Sequence, residues 1–212
     1  MDNNIKDGTI RTLFLDIGGV LLTNGWDRTG REKAFEHFKL DAKEVEERHH
    51  LTFDTYEEGK LTLDEYLGRV VFNEPRSFSK EDFKAFMFDQ SQLLGDSLEF
   101  FKEFKKEHGL KVIAVSNEGR ELNEHRIKQF KLNELFNAYI SSCYIHLRKP
   151  DTDVWRMACD ISQTHPQHAL YIDDRLMFVE VAKAYGIQSL HFKDLDSTKK
   201  FLDTCTFKSA NN

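Results

Sequence analysis

Apolar and polar positions follow two regimes along the chain. In the first, short unbroken apolar runs are closed by polar residues or glycine. Leu13-Phe14-Leu15 stops at Asp16, Lys111–Val115 at Ser116, and Ala169–Ile172 at Asp173. Ala138–Ser141 reads as a further short strand, and Ile187–His191, with mixed apolar and polar residues, as a fifth. Continuous rather than alternating apolar runs suit strands buried on both faces, as in a parallel sheet. Between them, apolar residues recur at helical spacing. Phe100, Phe101 and Phe104 precede Gly109; Val154, Met157, Ala158 and Ile161 form a stripe; Phe178, Val181 and Ala182 precede Gly186. A helix over Arg120–Gln129 completes the set, and Asp96 with Glu99 reads as a capping box. Strands alternating with helices predict the α/β class with a doubly wound parallel sheet.

The second regime runs from Asp27 to about Gln92. It is charged and aromatic, with helical spacing and no strand pattern. Phe35 and Phe38 share one helix face; Val45, Glu46 and Arg48 lie on a second, mainly polar helix. Leu63, Tyr66, Leu67 and Val70 mark a third helix. Phe83, Phe86 and Met87 mark a fourth, starting after Ser79 with Glu81 and Asp82 in its first turn. The expected organisation is a core of residues 1–22 and 93–212, interrupted by a helical module at 23–92. His49-His50 follow Glu46-Glu47-Arg48 and read as the end of a solvated helix. Residues 1–10 form a polar lead, and Ser209–Asn212 a disordered tail.

Composition narrows the function. With 212 residues and 40% hydrophobic content, including 18 Phe, the chain can bury a substantial aromatic core. A net charge of −6 gives no basic footprint for nucleic acid. No apolar stretch reaches the roughly 20 residues of a membrane helix, and the N-terminus lacks a signal-peptide pattern. A cytoplasmic protein is the default expectation. Cys143, Cys159 and Cys205 form no CxxC pair and read as reduced packing thiols.

The polar residues that close the runs carry the chemistry. Asp16, Ser116-Asn117 and Asp173-Asp174 each follow a strand. In a parallel sheet those ends lie along one edge, where ligands bind. Gly18 and Gly19 allow a sharp turn and close backbone approach. Lys149 precedes a helix start. Carboxylates converging on one point repel unless a cation joins them, and oxygen-only ligands favour Mg²⁺. A lysine and a hydroxyl suit phosphate oxygens. A carboxylate beside them can act as a nucleophile. The plain alternatives are a turn or cap carboxylate for Asp16 and Asp174, a helix N-cap for Ser116 and a solvated surface lysine for Lys149.

Leu15-Asp16-Ile17-Gly18-Gly19-Val20, Val115-Ser116-Asn117, Arg148-Lys149-Pro150 and Tyr171-Ile172-Asp173-Asp174 occur in an order that resembles the haloacid dehalogenase-like superfamily of phosphohydrolases. The resemblance spans nearly the whole chain. It implies a three-layer, Rossmann-like α/β core with sheet order 5-4-1-2-3 and a helical cap between the first two motifs. It also implies Asp16 as nucleophile, with Ser116, Asn117 and Lys149 around the phosphoryl group. The implied Mg²⁺ ligands are Asp16, the Gly18 carbonyl, Asp174, and Asp173 directly or through water. The expected activity is Mg²⁺-dependent hydrolysis of a small phosphomonoester. The Gly-Gly-Val form of the first motif resembles a branch that includes sugar-phosphate phosphatases.

Two departures stand out. Family phosphatases usually carry an acid two residues after the nucleophile, where this chain has Gly18. The fourth motif continues Arg175-Leu176-Met177-Phe178 instead of through a small or polar residue. Asp27 is a conceivable substitute acid. Two rivals follow: a phospho-ligand or partner-binding protein with negligible turnover, and a carbon–halogen hydrolase using the same Asp16. Trp26, Phe53, Tyr56 and Arg76 are cap residues that could face a substrate, with no orientation assigned by the sequence.

Overall fold

The computed structural model of the chain describes residues 9–207. The elements in chain order begin with β1 (Thr9–Ile10), β2 (Thr12–Leu15), α1 (Arg28–Phe38), α2 (Ala42–Glu57), α3 (Leu63–Val70) and α4 (Lys80–Asp89). They continue with α5 (Ser97–His108), β3 (Lys111–Ser116), α6 (Arg120–Gln129), β4 (Ala138–Ser141), α7 (Ser142–Ile145) and α8 (Asp153–Ser162). The last are β5 (Ala169–Asp173), α9 (Leu176–Ala184), β6 (Gln188–His191), α10 (Leu195–Leu202) and β7 (Thr206–Phe207).

Five strands pair in the order β4-β3-β2-β5-β6, all parallel. Numbered by core strand alone this is the expected 5-4-1-2-3. Central β2 is fully buried, and its alternating side chains feed two different cores. Leu13 and Leu15 pack with Leu98, Phe101, Val112 and Leu170 on one face. Phe14 packs with Val115, Trp155 and Tyr171 on the other. Both faces are covered by helices, so each apolar residue of the run has a partner, and a three-layer sandwich follows. Leu15 pairs with Ile172 and Ala114, which sets Asp16 beside Asp173 at the carboxyl edge.

Helices α1–α4 have a hydrophobic cluster of their own, built around Trp26, Phe35, Tyr56, Tyr66, Leu67, Phe83 and Met87. Each fully buried side chain of this size contributes about 1.5–3 kcal/mol. Local signals fix the helix starts. Thr62 and Glu65 form a capping box on α3, and Ser79 with Asp82 forms one on α4. Asp27 and Asp41 cap α1 and α2.

Several local expectations change. Asp96 makes no capping bond to α5; its φ of −94° and ψ of 11° lie outside the extended region from which a cap side chain reaches back. His49 is not on a solvated helix end. The helix continues to Glu57, and His49 is buried with its Nδ1 2.7 Å from the Tyr66 hydroxyl. Ile10 is a core residue, because β1 pairs with β7. Residues 209–212, expected to form a disordered tail, lie outside the described residues. Among those described, no helix is long and apolar enough to cross a membrane.

Candidate active site

The carboxyl edge of the sheet gathers the polar residues that close the apolar runs. Asp16 follows β2, and its Oδ1 accepts the Ile17 N–H at 2.8 Å. Asp173 ends β5 with no exposed surface. Its Oδ2 accepts from Lys149 Nζ at 2.6 Å and from the Tyr171 hydroxyl; its Oδ1 accepts the Arg175 N–H at 2.7 Å. Asp174 Oδ2 accepts from Asn24 at 3.1 Å, while its buried Oδ1 has no partner. One oxygen from each of Asp16, Asp173 and Asp174 lies within 4.8 Å of the others.

One ammonium sits among these acids. Lys149 is 1% exposed, and its Nζ lies 3.2 Å from Asp16 Oδ2 and 3.0 Å from the Val115 carbonyl. The rings of Phe178 and Tyr171 lie 5.0 and 5.7 Å from Nζ. Lys149 is therefore not a surface lysine. Phe178, the departure in the fourth motif, covers it from solvent. Three carboxylates against the Lys149 ammonium and the more exposed Arg175 guanidinium, 3.8 Å from Asp174 Oδ2, leave the cluster negative. Burial pushes the Asp16 carboxyl up to about 7; Lys149 pulls it down, Asp173 and Asp174 push it up, and a Ser116 hydrogen bond opposes them. Burial and Asp173 likewise raise Asp174 against the Asn24 hydrogen bond. Burial alone would lower Lys149, but Asp16 and Asp173 outweigh it and raise it. An orphaned buried carboxylate oxygen and a surplus of negative charge fit a hard divalent cation.

The backbone after Asp16 is shaped to the cluster. Gly19 has φ +71°, and a Cβ there would stand 2.2 Å from Asp174 Oδ2. Glycine is the amino acid that tolerates both the left-handed backbone and the close approach at this position.

Ser116 ends β3, 3% exposed, and its Oγ donates to Glu118 at 3.3 Å. It is not the cap of α6, where Gly119 stands with no side-chain bond. Asn117 lines the cavity, but its carboxamide holds the Lys149 loop rather than facing outward. Nδ2 donates to the Lys149 carbonyl at 3.0 Å, and Oδ1 accepts the Lys149 N–H at 2.8 Å.

These groups open into a cavity of about 500 Å³ whose opposite wall comes from the helical segment. Of the four cap residues named from the sequence, Trp26, Phe53 and Tyr56 line it. Arg76 does not, because its guanidinium turns to the Val71 carbonyl and Glu74. Asp27 lines the cavity while its Oδ1 caps α1 through the Gly30 N–H at 2.9 Å. Sequence reasoning missed Asn24, Glu57, Glu118 and Arg126, which also line the cavity. Glu57 joins the helical segment to the Lys149 loop by accepting from Arg148, which also pairs with Asp54. Burial pushes the Glu57 carboxyl up to about 7 against Arg148. Asn24, Glu57 and Arg126 act through partners distant in sequence, and Glu118 through Ser116 and Arg126 nearer by.

Comparison with known proteins agrees with this layout. Solved structures with the same fold include a HAD family enzyme from Bacteroides thetaiotaomicron in complex with magnesium and inorganic phosphate. The two are 20% identical over 89% of this chain and 98% of that one, with a TM-score of 0.75. A predicted HAD-like family hydrolase from Porphyromonas gingivalis is 16% identical over 92% of this chain and 98% of that one, TM-score 0.71. L-2-haloacid dehalogenase from Xanthobacter autotrophicus is 14% identical over 92% and 83%, TM-score 0.62. Among curated proteins, none matches the chain by sequence. A family model for haloacid dehalogenase-like hydrolases matches residues 10–186. Four ordered motifs, the sheet order and that match agree: the chain belongs to the haloacid dehalogenase-like hydrolases.

Proposed function

We propose that the protein is a Mg²⁺-dependent phosphatase of small phosphomonoesters, sugar phosphates among them. The observation that carries this is the buried meeting of Asp16, Asp173 and Asp174 with Lys149, at which one Asp174 oxygen has no partner. Asp16, the Gly18 carbonyl and Asp174 would hold the cation. Asp173, engaged by Lys149, Tyr171 and the Arg175 N–H, would serve it through water. When bound, Mg²⁺ supplies charge neutralisation between the carboxylates and the phosphoryl oxygens.

The remaining work falls to side chains. An Asp16 carboxylate oxygen attacks phosphorus, and the P–O bond to the leaving alcohol breaks. Lys149 and Ser116 hold the phosphoryl oxygens in line. Water then hydrolyses the aspartyl phosphate, freeing Asp16 and inorganic phosphate. Residues 23–92 act as a cap over a core formed by 1–22 and 93–212. Its Trp26, Phe53 and Tyr56 wall excludes water and selects the alcohol.

The test is phosphatase activity over a panel of metabolites, with and without chelator, for the natural protein and Asp16→Asn. Activity lost with chelator and with Asp16→Asn is expected. Full activity in chelator ends the Mg²⁺ reading, and turnover retained by Asp16→Asn ends the covalent one. A second reading, phospho-ligand binding with negligible turnover, draws on Gly18 and on the capping role of Asp27. Single-turnover labelling of Asp16 separates it from catalysis. Carbon–halogen hydrolysis needs no cation, and the orphaned Asp174 oxygen weighs against it.

A further inference from the structure

One buried arginine touches both places where the chain crosses between the sheet and the helical segment. The outgoing crossing runs through Thr23 and the returning one through Ser91. They are tied to each other: Thr23 N–H donates to the Gln92 carbonyl at 2.9 Å, Thr23 Oγ1 to the Gln90 carbonyl at 2.6 Å, and Leu94 N–H to the Leu21 carbonyl at 3.0 Å. Arg126, on α6, reaches across. Its Nη2 donates to the Thr23 carbonyl at 3.2 Å, its Nε to Ser91 Oγ at 2.9 Å and its Nη1 to Glu118 Oε1 at 2.5 Å. The Arg126 side chain is 1% exposed and that of Glu118 3%. Gly25 has φ +68°, and a Cβ there would stand 2.0 Å from Arg126 Nη2. The backbone of the outgoing crossing is thus laid directly on the guanidinium.

The far end of this pair meets the site. Glu118 Oε1 also accepts from Ser116 Oγ at 3.3 Å. A hydroxyl has one proton to give. That proton goes to the Glu118 carboxylate, which Arg126 holds in place. Arg126 thus connects both crossings to Glu118 and, through it, to Ser116.

We propose that Arg126 and Glu118 are positioning residues, with two linked effects. Arg126 clamps both crossings and so keeps the helical segment closed over the cavity. Glu118 passes that closure to Ser116 by setting where its hydroxyl points. The second effect rests on the phosphatase reading; the first does not. Either single replacement leaves a buried charge without its ion-pair partner, Glu118→Gln more mildly because Arg126 keeps Ser91 and Thr23 as hydrogen-bond partners, and neutralising both removes that penalty. The informative variants are therefore Glu118→Gln, which leaves the Arg126 bonds to Thr23 and Ser91 available, and the double variant Glu118→Gln/Arg126→Met.

The experiment has two arms on the Mg²⁺-loaded full chain. The first is acrylamide quenching of Trp26, a cavity-wall residue only 3% exposed. The other tryptophan, Trp155, is fully buried in the sheet core, so Trp26→Phe supplies the background. The double variant should show roughly a doubled quenching slope as the segment opens more often, and Glu118→Gln an unchanged one. The second arm is steady-state hydrolysis of p-nitrophenyl phosphate. Glu118→Gln should raise KM about tenfold, the usual scale for a charged hydrogen bond, with kcat nearly kept. The double variant should lose in both. A double variant that quenches like Glu118→Gln overturns the clamp, whether or not the protein turns over. With an active natural protein, unchanged KM in Glu118→Gln overturns the link to Ser116. If the natural protein is inactive, the phosphatase reading fails and takes the Ser116 link with it, while the quenching arm still judges the clamp.

Discussion

The side-chain oxygen of Asn24 lies 2.7 Å from the point that a Cβ on Gly18 would occupy. The missing acid of the first motif is thus replaced in space by a neutral amide from the start of the helical segment. Asn24 also donates to Asp174 Oδ2 at 3.1 Å. The two differences belong together, because an amide that holds Asp174 stands where an acid at position 18 would begin.

Restoring the acid therefore takes two substitutions. Gly18→Asp alone must displace Asn24, which releases Asp174. Its Mg²⁺ affinity, read by calorimetry, should fall below that of the natural protein. Gly18→Asp/Asn24→Ala removes the obstruction but also the Asn24 bond to Asp174, so its affinity should likewise stay below that of the natural protein. Equal affinity for natural protein and Gly18→Asp would show that Asn24 moves freely and that its bond to Asp174 is idle.

Lys149 is a prediction about stability as much as activity. It is the one cation within ion-pair distance of Asp16 and Asp173 among the described residues. Lys149→Met leaves both acids buried without it, a change that costs about 3–5 kcal/mol in comparable pairs. Urea unfolding should show that loss. Lys149→Met/Asp173→Asn should regain part of the stability and none of the activity. A stable Lys149→Met would mean that the acids protonate at little cost.

The fold was legible because buried parallel strands are unbroken apolar runs, and the carboxyl edge because each long run ends in a polar residue. Asp16, Ser116, Lys149 and the Asp173-Asp174 pair meet where that logic puts them. What stayed hidden depends on distance in sequence. Two-residue β1 has too few positions to show a period, and its partner β7 lies almost two hundred residues away. Arg126 reads as one more charged residue on a polar helix until Thr23 and Ser91 arrive from elsewhere. His49 sits beside a second histidine and three charged residues, and only the packing of α3 on α2 buries it. Asp96 shows the reverse error: the residue types of a capping box were present, but the backbone did not adopt the geometry.

That buried histidine gives the protein a pH-dependent stability. Burial lowers His49 from the ordinary 6.5 to about 4, with Arg31 adding to the shift and Glu46 opposing it. A base held neutral in the folded state binds fewer protons than its unfolded counterpart between those values. Stability from this group is therefore complete above pH 6.5 and is lost as pH falls toward 4, by about 3 kcal/mol at most. Asp16 and Glu57, both pushed up to about 7, act in the opposite direction over a similar range. The contrast with His49→Gln isolates the histidine. Between pH 6.5 and 4.5 the natural protein should lose unfolding free energy more steeply than the variant. Parallel slopes would mean that His49 titrates normally.

The last prediction concerns the leaving group. With Gly18 in the first motif and Asp27 capping α1, neither of these two positions offers a free carboxyl to protonate a departing alkoxide. General acid help is worth about 10²–10⁴ in rate and matters most for the poorest leaving group. Aryl and acyl phosphates leave without a proton, and a sugar anomeric oxygen is intermediate. Single-turnover rates should therefore depend steeply on leaving-group pKa, with sugar 1-phosphates ahead of simple alkyl esters. Gly18→Asp/Asn24→Ala should flatten the dependence by speeding the alkyl esters. If the natural protein instead cleaves alkyl and aryl esters equally fast in the chemical step, another side chain donates the proton. Glu57 then becomes the first residue to replace, ahead of Asp27. It lines the same cavity and its carboxyl is pushed up to about 7 by burial, so it would carry a proton near neutral pH. Glu57→Gln would restore the steep dependence if Glu57 is that donor, and leave the rates level if it is not.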